Sequence, residues 1–164
     1  MTYQIDQSGK IEQTNIDTVI AFTNSETGSV TLPAKEKRRL QELFRTTGMP
    51  RLFIDVTFAI MVFLLIKKHI EKHTFTIDRE YPNHEKTIEK MINKLSNNQE
   101  NIIWRLLGKS SKAHDIAYKT FIGKVEIKRR IKAKEIWKLA KKIAGGRLNT
   151  GLSPASRRSI PANK

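Results

Sequence analysis

The feature that most constrains the fold of this chain is the stretch 52–66, LFIDVTFAIMVFLLI, in which Asp55 is the only charged residue. As a helix, a segment of this length spans about 22 Å, which is shorter than the roughly 30 Å hydrocarbon core of a bilayer. A helix that is apolar on nearly every side is buried on nearly every side. We therefore expect a core helix that is covered by a β-sheet and by another element, and we expect no membrane span.

Shorter patterned segments lie on both sides of this stretch. Before it, three runs of β-branched and aromatic residues are separated by turn-forming residues, which predicts an antiparallel meander. After it, strand-like runs alternate with runs whose apolar residues follow a helical period. The predicted strands are 3–6, 18–23, 29–32, 73–80 and 102–107, and the predicted helices are 35–45, 52–66, 85–95 and 111–121. The expected fold class is therefore α/β, with five strands.

The charge of the chain is strongly basic and unevenly distributed. The 164 residues include 31 Lys and Arg against 16 Asp and Glu, and the segment from residue 124 onward holds 13 of the basic residues but only two of the acidic ones. This asymmetry is typical of a protein that binds a polyanion, most often nucleic acid, with a membrane surface as the alternative. The chain has no cysteine, which excludes disulfides and thiolate metal sites. We expect a cytoplasmic protein, because the first residues lack the order of a signal peptide.

The basic segment predicts its own organisation. Apolar residues recur broadly along one side of 124–143, which predicts a further helix, and turn-forming residues dominate the tail. We expect three parts: an α/β domain over 1–123, a basic helical extension over 124–144, and a disordered basic tail over 145–164. The candidate phosphate-binding residues on the extension are Lys124, Lys128, Arg129, Lys132, Lys134, Lys138, Lys141 and Lys142.

Two aspartates occur within strand-like segments, where a carboxylate is costly to desolvate unless a cation compensates it. Asp6 lies in the first predicted strand and Asp78 in the fourth, with Glu80 on the same side of that strand by alternation. The compensating cation is either a basic side chain or a divalent metal, since Mg²⁺ prefers carboxylate oxygens. The alternative is that both aspartates are structural carboxylates that cap strand ends.

The order of elements, together with these acidic positions, resembles the ribonuclease H-like superfamily over residues 1–122. The resemblance implies a mixed five-stranded sheet flanked by helices and a site for two divalent metals, Mg²⁺ or Mn²⁺. It implies that Asp6 and Asp78 are the central metal ligands. Asp55 would be the acid from the first long helix and Asp115 the acid from the last helix. Glu80 is a further candidate ligand because of its alternation with Asp78, and the alternative is a solvent-facing pair with Arg79 or a lysine.

The chain departs from the superfamily pattern in two places, because Asp55 stands where the acid is usually Glu and because the helix 35–45 is additional. The expected function is nonetheless a metal-dependent nuclease that cleaves RNA, an RNA–DNA hybrid or branched DNA by a two-metal mechanism. His114 would move a proton at the leaving group, since its ordinary pKa lies near neutrality. The alternative is a non-catalytic nucleic-acid-binding protein, and the assemblies considered are a homodimer and a ribonucleoprotein.

Overall fold

The computed structural model describes residues 2–70 and 73–145. The predicted order of strands and helices is confirmed over this part of the chain. The strands are β1 (Thr2–Ser8), β2 (Thr18–Thr23), β3 (Thr27–Leu32), β4 (Thr74–Asp78) and β5 (Asn101–Arg105). The helices are α1 (Ala34–Thr46), α2 (Phe53–Ile66), α3 (Glu85–Ser96), α4 (Lys112–Phe121) and α5 (Ala133–Ala144), with one 3₁₀ turn over Pro50–Leu52 before α2.

The five strands form one mixed sheet in the order β3-β2-β1-β4-β5. The three N-terminal strands are antiparallel, with Ile5 of β1 opposite Phe22 of β2. β4 runs parallel to both of its neighbours, so that Ile77 lies between Ile5 of β1 and Trp104 of β5. The expected α/β class is therefore confirmed, and the carboxyl ends of β1 and β4 lie side by side at one edge of the sheet.

One face of the sheet carries the main hydrophobic core, which is built around α2. Phe58 and Ile60 of α2 are at most 1% exposed, and they belong to a core cluster that also includes Ile5, Leu40 and Ile88. The cluster thus joins the sheet to α1 and α3 as well as α2. This covering explains why α2 is apolar all round, as the sequence predicts. Within the described part of the chain, no helix combines the length and the hydropathy that crossing a membrane requires.

The opposite face of the sheet is covered by α4, which packs on β1, β2 and β3. The side chains that meet there are small, with Ala21 of β2 and Ala113 and Ala117 of α4 all fully buried. Small residues let a helix backbone approach a sheet closely. Because alternate residues of a strand point to opposite faces, Asp6 lies on this α4 face while Ile5 lies in the main core.

The basic segment is shorter as a helix than the sequence predicts, because α5 begins at Ala133 rather than at residue 124. The backbone before it pairs with the free edge of β3. The Thr31 N–H donates to the Arg129 carbonyl at 2.8 Å, and the Ile131 N–H donates to the Thr31 carbonyl at 2.8 Å. These bonds satisfy edge-strand groups that would otherwise face solvent. A tertiary contact therefore overrides the helical pattern over residues 124–132.

The rest of the basic segment is integrated with the core. Ile131, Ile136 and Ala140 are fully buried and belong to the same cluster as α2. The Glu36 carboxylate of α1 accepts a hydrogen bond from the Ala133 N–H at 2.7 Å, which holds the start of α5 against α1. The tail that the sequence predicts to be disordered lies outside the described residues, apart from Gly145.

Candidate metal centre

Asp6 is a buried carboxylate near the end of β1. The residue is 3% exposed, and its Oδ1 atom accepts a hydrogen bond from the Gln7 N–H at 2.6 Å. Burial is the largest influence on its pKa and raises it, and the charge of Asp78 acts in the same direction. The Gln7 hydrogen bond and His114 oppose the rise. Asp6 thus lies in a place that penalises its negative charge unless a further cation is present.

Asp78 ends β4, directly beside β1 in the sheet. Its Oδ1 atom accepts a hydrogen bond from the Leu107 N–H at 2.7 Å, which ties it to the connection that follows β5. Glu80 follows two residues later, and its N–H donates to the Asp78 carbonyl at 2.9 Å. Asp6, Asp78 and Glu80 each place one carboxylate oxygen within 4.8 Å of the others. The parallel pairing of β1 and β4 therefore gathers three acids at one edge of the sheet.

We call Asp6, Asp78 and Glu80 the acidic cluster. Its effect on the pKa of a member is clear at Glu80. Burial, then the charges of Asp78 and Asp6 and a hydrogen bond with Asp78, raise the pKa of Glu80 to about 7, against the weaker opposing charge of Lys10. A carboxyl group with this pKa holds a proton for much of the time at neutral pH. A divalent cation would remove the repulsion in another way, and carboxylate oxygens are its preferred ligands. The chemistry of the cluster fits such an ion.

Helix α4 brings two further side chains to Asp6. Ser111 precedes the helix, and its hydroxyl oxygen accepts a hydrogen bond from the His114 N–H at 3.0 Å, which fixes the first turn. The same hydroxyl lies 3.5 Å from Asp6 Oδ2. The His114 Nδ1 atom lies 3.3 Å from that oxygen, and its ring stacks on Tyr118 with an interplanar angle of 4°. The imidazole is thus positioned to hold or move a proton beside the cluster.

The other two acids that the resemblance implies lie elsewhere. Asp55 is in the first turn of α2, on the opposite face of the sheet, where its two oxygens lie 2.8 and 2.9 Å from the His84 Nδ1 atom. Asp115 is half-exposed and pairs with Lys119 at 2.8 Å. Among the described residues, the group of mutually close carboxylates includes neither of them. The structure therefore brings together the three strand-associated acids and His114.

The candidate phosphate-binding residues are divided among different roles. The Lys128 ammonium donates to the Thr27 carbonyl at 3.0 Å, and Arg129 pairs with Glu135 at 2.9 Å, so both stabilise the packing of the segment. Lys124 and Lys142 are exposed. The remaining four face a groove between α1 and α5: Lys132, Lys134, Lys138 and Lys141.

Several basic residues near the acidic cluster are absent from the sequence-based candidates. Arg105 of β5 is exposed and lies opposite Asp78 in the strand register. The connection from β5 to α4 then carries Lys109, and Lys112 begins α4. Both lysines are exposed. Their proximity to the acids depends on the β4–β5 pairing, which no local pattern in the sequence specifies.

A buried lysine supports the loop that follows β1. Lys37 of α1 is fully buried, and its ammonium donates to the carbonyls of Lys10 and Gln13 at 3.0 and 2.7 Å and to the Thr18 hydroxyl at 2.9 Å. Burial lowers the pKa of Lys37 to about 8. In the sequence it is one of several consecutive charged residues, so no signal distinguishes it from its exposed neighbours.

Comparisons of the chain with protein families, with curated proteins and with solved structures found no match.

Proposed function

We propose that the protein is a divalent-metal-dependent nuclease whose metal site is the acidic cluster. The observation that carries the proposal is the convergence of Asp6, Asp78 and Glu80 within 4.8 Å at one edge of the sheet. Three carboxylates at that separation repel one another, and this repulsion adds to burial, the larger cause, in raising the pKa of Asp6 and of Glu80. A chain with a net charge of +15 supplies abundant basic side chains that could have paired with them. A site that instead retains mutual repulsion is typical of one that holds a cation.

The fold supports the same proposal through the ribonuclease H-like resemblance. That resemblance expects the first and fourth strands to supply the central acids, and here β1 and β4 are neighbours whose carboxyl ends coincide. A ribonuclease H-like architecture is therefore the finer assignment we propose for the α/β fold. Mg²⁺ or Mn²⁺ would be held by Asp6, Asp78 and Glu80, and two such ions are the expected number.

The chemistry of the site follows from what its residues can do. When bound, divalent metal ions supply Lewis-acid activation of a phosphodiester and of the attacking water. Asp6 and Asp78 are fixed by backbone N–H donors, so their oxygens are preorganised. His114 lies at the α4 side of the cluster and is the group placed to give a proton to the leaving oxygen. Ser111 orients the first turn of α4 and thereby the imidazole.

The surroundings of the cluster suit a polyanionic substrate. The path from β5 to α4 contacts the acids, since the Leu107 N–H donates to Asp78 and the Ser111 hydroxyl lies 3.5 Å from Asp6 Oδ2. Arg105, Lys109 and Lys112 are exposed along this path. Basic side chains there would contact phosphates and position the backbone without reading the base sequence. We therefore propose nucleic acid as the partner and substrate, with RNA, an RNA–DNA hybrid and branched DNA as the substrates to be compared.

The test is a cleavage assay with Mg²⁺ or Mn²⁺ on labelled RNA, RNA–DNA hybrid and four-way DNA junctions. Asp6→Asn and Asp78→Asn remove one charge each from the cluster and should abolish cutting, with activity falling at least about 1000-fold. Glu126→Gln is the matched control, because it removes one negative charge at an exposed position outside the cluster. Calorimetric titration of Mn²⁺ into the same proteins reports metal binding separately from cleavage.

The outcomes separate the nuclease from the alternative function. Cleavage and Mn²⁺ binding that are both lost in Asp6→Asn and Asp78→Asn but kept in Glu126→Gln support the proposal. A folded wild-type protein that binds nucleic acid tightly but neither cuts it nor binds Mn²⁺ would contradict it. That result would favour the non-catalytic nucleic-acid-binding protein, in which the strand aspartates are structural.

A further inference from the structure

A groove of about 1130 Å³ lies between α1 and α5, on the face of the molecule opposite the acidic cluster. Both helices belong to the layer that covers α2, whereas Asp6 lies beneath α4 on the other face of the sheet. A ligand in this groove therefore does not meet the proposed metal site. The groove needs an explanation of its own.

The wall of the groove combines apolar and basic side chains. Leu43 of α1, with Ala133 and Trp137 of α5, provides the apolar part. Trp137 is 6% exposed and packs edge-on against Phe44, with the ring centroids 5.1 Å apart. Its indole N–H is buried and finds no acceptor among the residues that the structure describes. The indole N–H thus lacks a partner within the chain as described, and it lies below the surface of the groove.

The charged residues of the groove are six cations and two acids, Glu36 and Glu42. The cations are Arg38, Arg39, Lys132, Lys134, Lys138 and Lys141. Glu36 is already engaged by Arg39 at 2.9 Å and by the Ala133 N–H, and Glu42 pairs with Arg45 at 3.4 Å. Both acids are therefore neutralised locally, which leaves the groove with an excess of positive charge.

Three of the cations form a regular row on α5. Lys134, Lys138 and Lys141 are spaced i, i+4 and i+7, so they lie along one side of the helix over about 10 Å. Within residues 2–70 and 73–145, none of their three ammonium groups takes part in a hydrogen bond or ion pair. This row runs beside Trp137, so positive charge and apolar surface alternate along the same wall.

We propose that this groove binds an acidic amphipathic helix of a partner protein. The apolar wall would receive the hydrophobic face of such a helix, and its Asp and Glu residues would pair with Lys134, Lys138 and Lys141. In helix-in-groove recognition, the apolar residues of the bound helix at i, i+3, i+4 and i+7 enter the groove.

Other occupants fit the groove less well. The tail after residue 145 contains only basic charged residues, and a second copy of the chain carries a net charge of +15, so both would be repelled. Nucleic acid matches the charge, but the ring of Trp137 is too buried to stack a base, and an apolar wall offers nothing to phosphates. The combination of apolar and basic surface favours a peptide that is both acidic and amphipathic.

The test measures binding of fluorescein-labelled 15-residue helical peptides by fluorescence anisotropy. Three peptides carry a Leu stripe with Glu at i, i+4 and i+7 in three different registers, and each has a partner peptide in which Lys replaces Glu. A labelled single-stranded oligonucleotide and a labelled duplex are the polyanion comparisons. The protein variants are K138E/K141E in the groove and K86E/K90E on the exposed face of α3, which make the same change of charge.

We expect at least one acidic peptide to bind with a dissociation constant below about 1 mM and its Lys counterpart not to bind. K138E/K141E should weaken that binding at least 10-fold, and K86E/K90E should change it less than threefold. The peptide titrations contain neither nucleic acid nor metal, so a failed nuclease proposal would leave this result unaffected.

Three results would overturn the proposal. One is that none of the acidic peptides binds below 1 mM. Another is that the two variants weaken peptide binding equally, which would show only a general effect of charge. The third is that the groove variant loses oligonucleotide binding while the wild-type protein ignores the peptides, which would make the groove a nucleic-acid surface.

Discussion

The Nδ1 atom of His114 lies 3.3 Å from the Oδ2 atom of Asp6, so α4 reaches the acidic cluster through a histidine. The next residue, Asp115, turns toward Lys119 instead. Neighbouring residues of one helix thus have different relationships to the same site. Because a helix advances by 100° per residue, only one of the two can face the sheet.

His114→Ala and Asp115→Asn therefore separate two assignments for the last helix. We expect His114→Ala to lower kcat about 100-fold or more, since it removes the group placed to move a proton. Asp115→Asn should leave activity within about twofold, because it loses only an exposed ion pair. The measurement is kcat for Mg²⁺-dependent cleavage, with and without added imidazole. Equal losses in the two variants would show that Asp115 acts in the site as the resemblance implies.

The raised pKa of Glu80 predicts how the metal-free protein depends on pH. The folded state holds a proton on Glu80 up to a pKa of about 7, whereas the unfolded chain releases it near the usual value of 4.5. Between these values the folded state binds more protons, so the free energy of unfolding contributed by Glu80 falls as the pH rises. Glu80→Gln removes this dependence. The free energy of unfolding of Glu80→Gln minus that of the wild type should therefore be more positive at pH 8 than at pH 5.

Urea unfolding in EDTA at pH 5 and pH 8 measures this difference directly. The comparison of Glu80→Gln with the wild type cancels the titrating residues outside the acidic cluster, since the two proteins share them. Adding Mn²⁺ should reverse the order at pH 8, because metal binding requires the ionised carboxylate. A stability difference that does not change with pH would contradict the assignment of a proton to Glu80.

The sequence predicts the α/β class, the order of elements and two acids of the cluster, because these depend on local patterns. Strand and helix periods gave the element order, and the apolar stretch 52–66 required a helix covered on both sides. Asp6 and Asp78 stand out because carboxylates are rare in strand-like runs. Their meeting depends on β1 and β4 being neighbours, which the resemblance implied and the sheet order shows.

The features that the sequence does not reveal arise from contacts between distant segments. The stretch 124–132 has a helical pattern, yet its backbone bonds to the edge of β3. Asp55 has the sequence position that the resemblance expects for a ligand. In the structure, both of its carboxylate oxygens contact His84, which lies in the loop after β4. The sequence pattern predicts that Lys37 is exposed, but the loop after β1 covers it and accepts its hydrogen bonds. Each case is a tertiary contact that overrides a local preference.

The basic residues beside the acidic cluster predict how binding depends on salt. Lys109 and Lys112 are exposed on the path from β5 to α4, and in the nucleic-acid complex that we propose each phosphate contact by them would release counterions. The double variant K109A/K112A should reduce the slope of log K against log salt concentration by about 2. K86A/K90A on α3 is the matched control and should leave the slope unchanged. The measurement is oligonucleotide binding at several salt concentrations, and an equal change in both variants would contradict the placement of substrate.

Lys37 is expected to contribute more to stability than any exposed lysine. Lys37→Met keeps the aliphatic volume but removes three hydrogen bonds, and it leaves the carbonyls of Lys10 and Gln13 without their buried donor. We expect a loss of about 3 kcal/mol in the free energy of unfolding. Lys35→Met, on an exposed position of the same helix, should change it by less than about 0.5 kcal/mol. Similar changes in the free energy of unfolding for the two variants, measured by urea unfolding, would show that the buried hydrogen bonds of Lys37 do not stabilise the fold.

Gly9, which follows β1 and Asp6, is expected to tolerate no side chain. Its φ of +76° lies in the left-handed region, and a Cβ atom there would collide with the backbone carbonyl of Asp17 and contact the ring of Phe121. Gly48 has a similar φ of +77° but open space around it. Gly48→Ala therefore measures only the free-energy cost of placing a side chain on a left-handed backbone conformation.

We expect Gly48→Ala to cost about 1 kcal/mol and Gly9→Ala at least about 3 kcal/mol, because only the second adds a steric clash with backbone. Thermal or urea unfolding of the two variants gives the difference. Since the shift at Gly9 would move the end of β1, Gly9→Ala should also weaken Mn²⁺ binding at Asp6, while Gly48→Ala should not. Equal losses in the free energy of unfolding, with unchanged Mn²⁺ binding, would contradict this expectation. They would mean that the loop after β1 adjusts without moving the acidic cluster, and that the β1–β4 pairing alone positions Asp6.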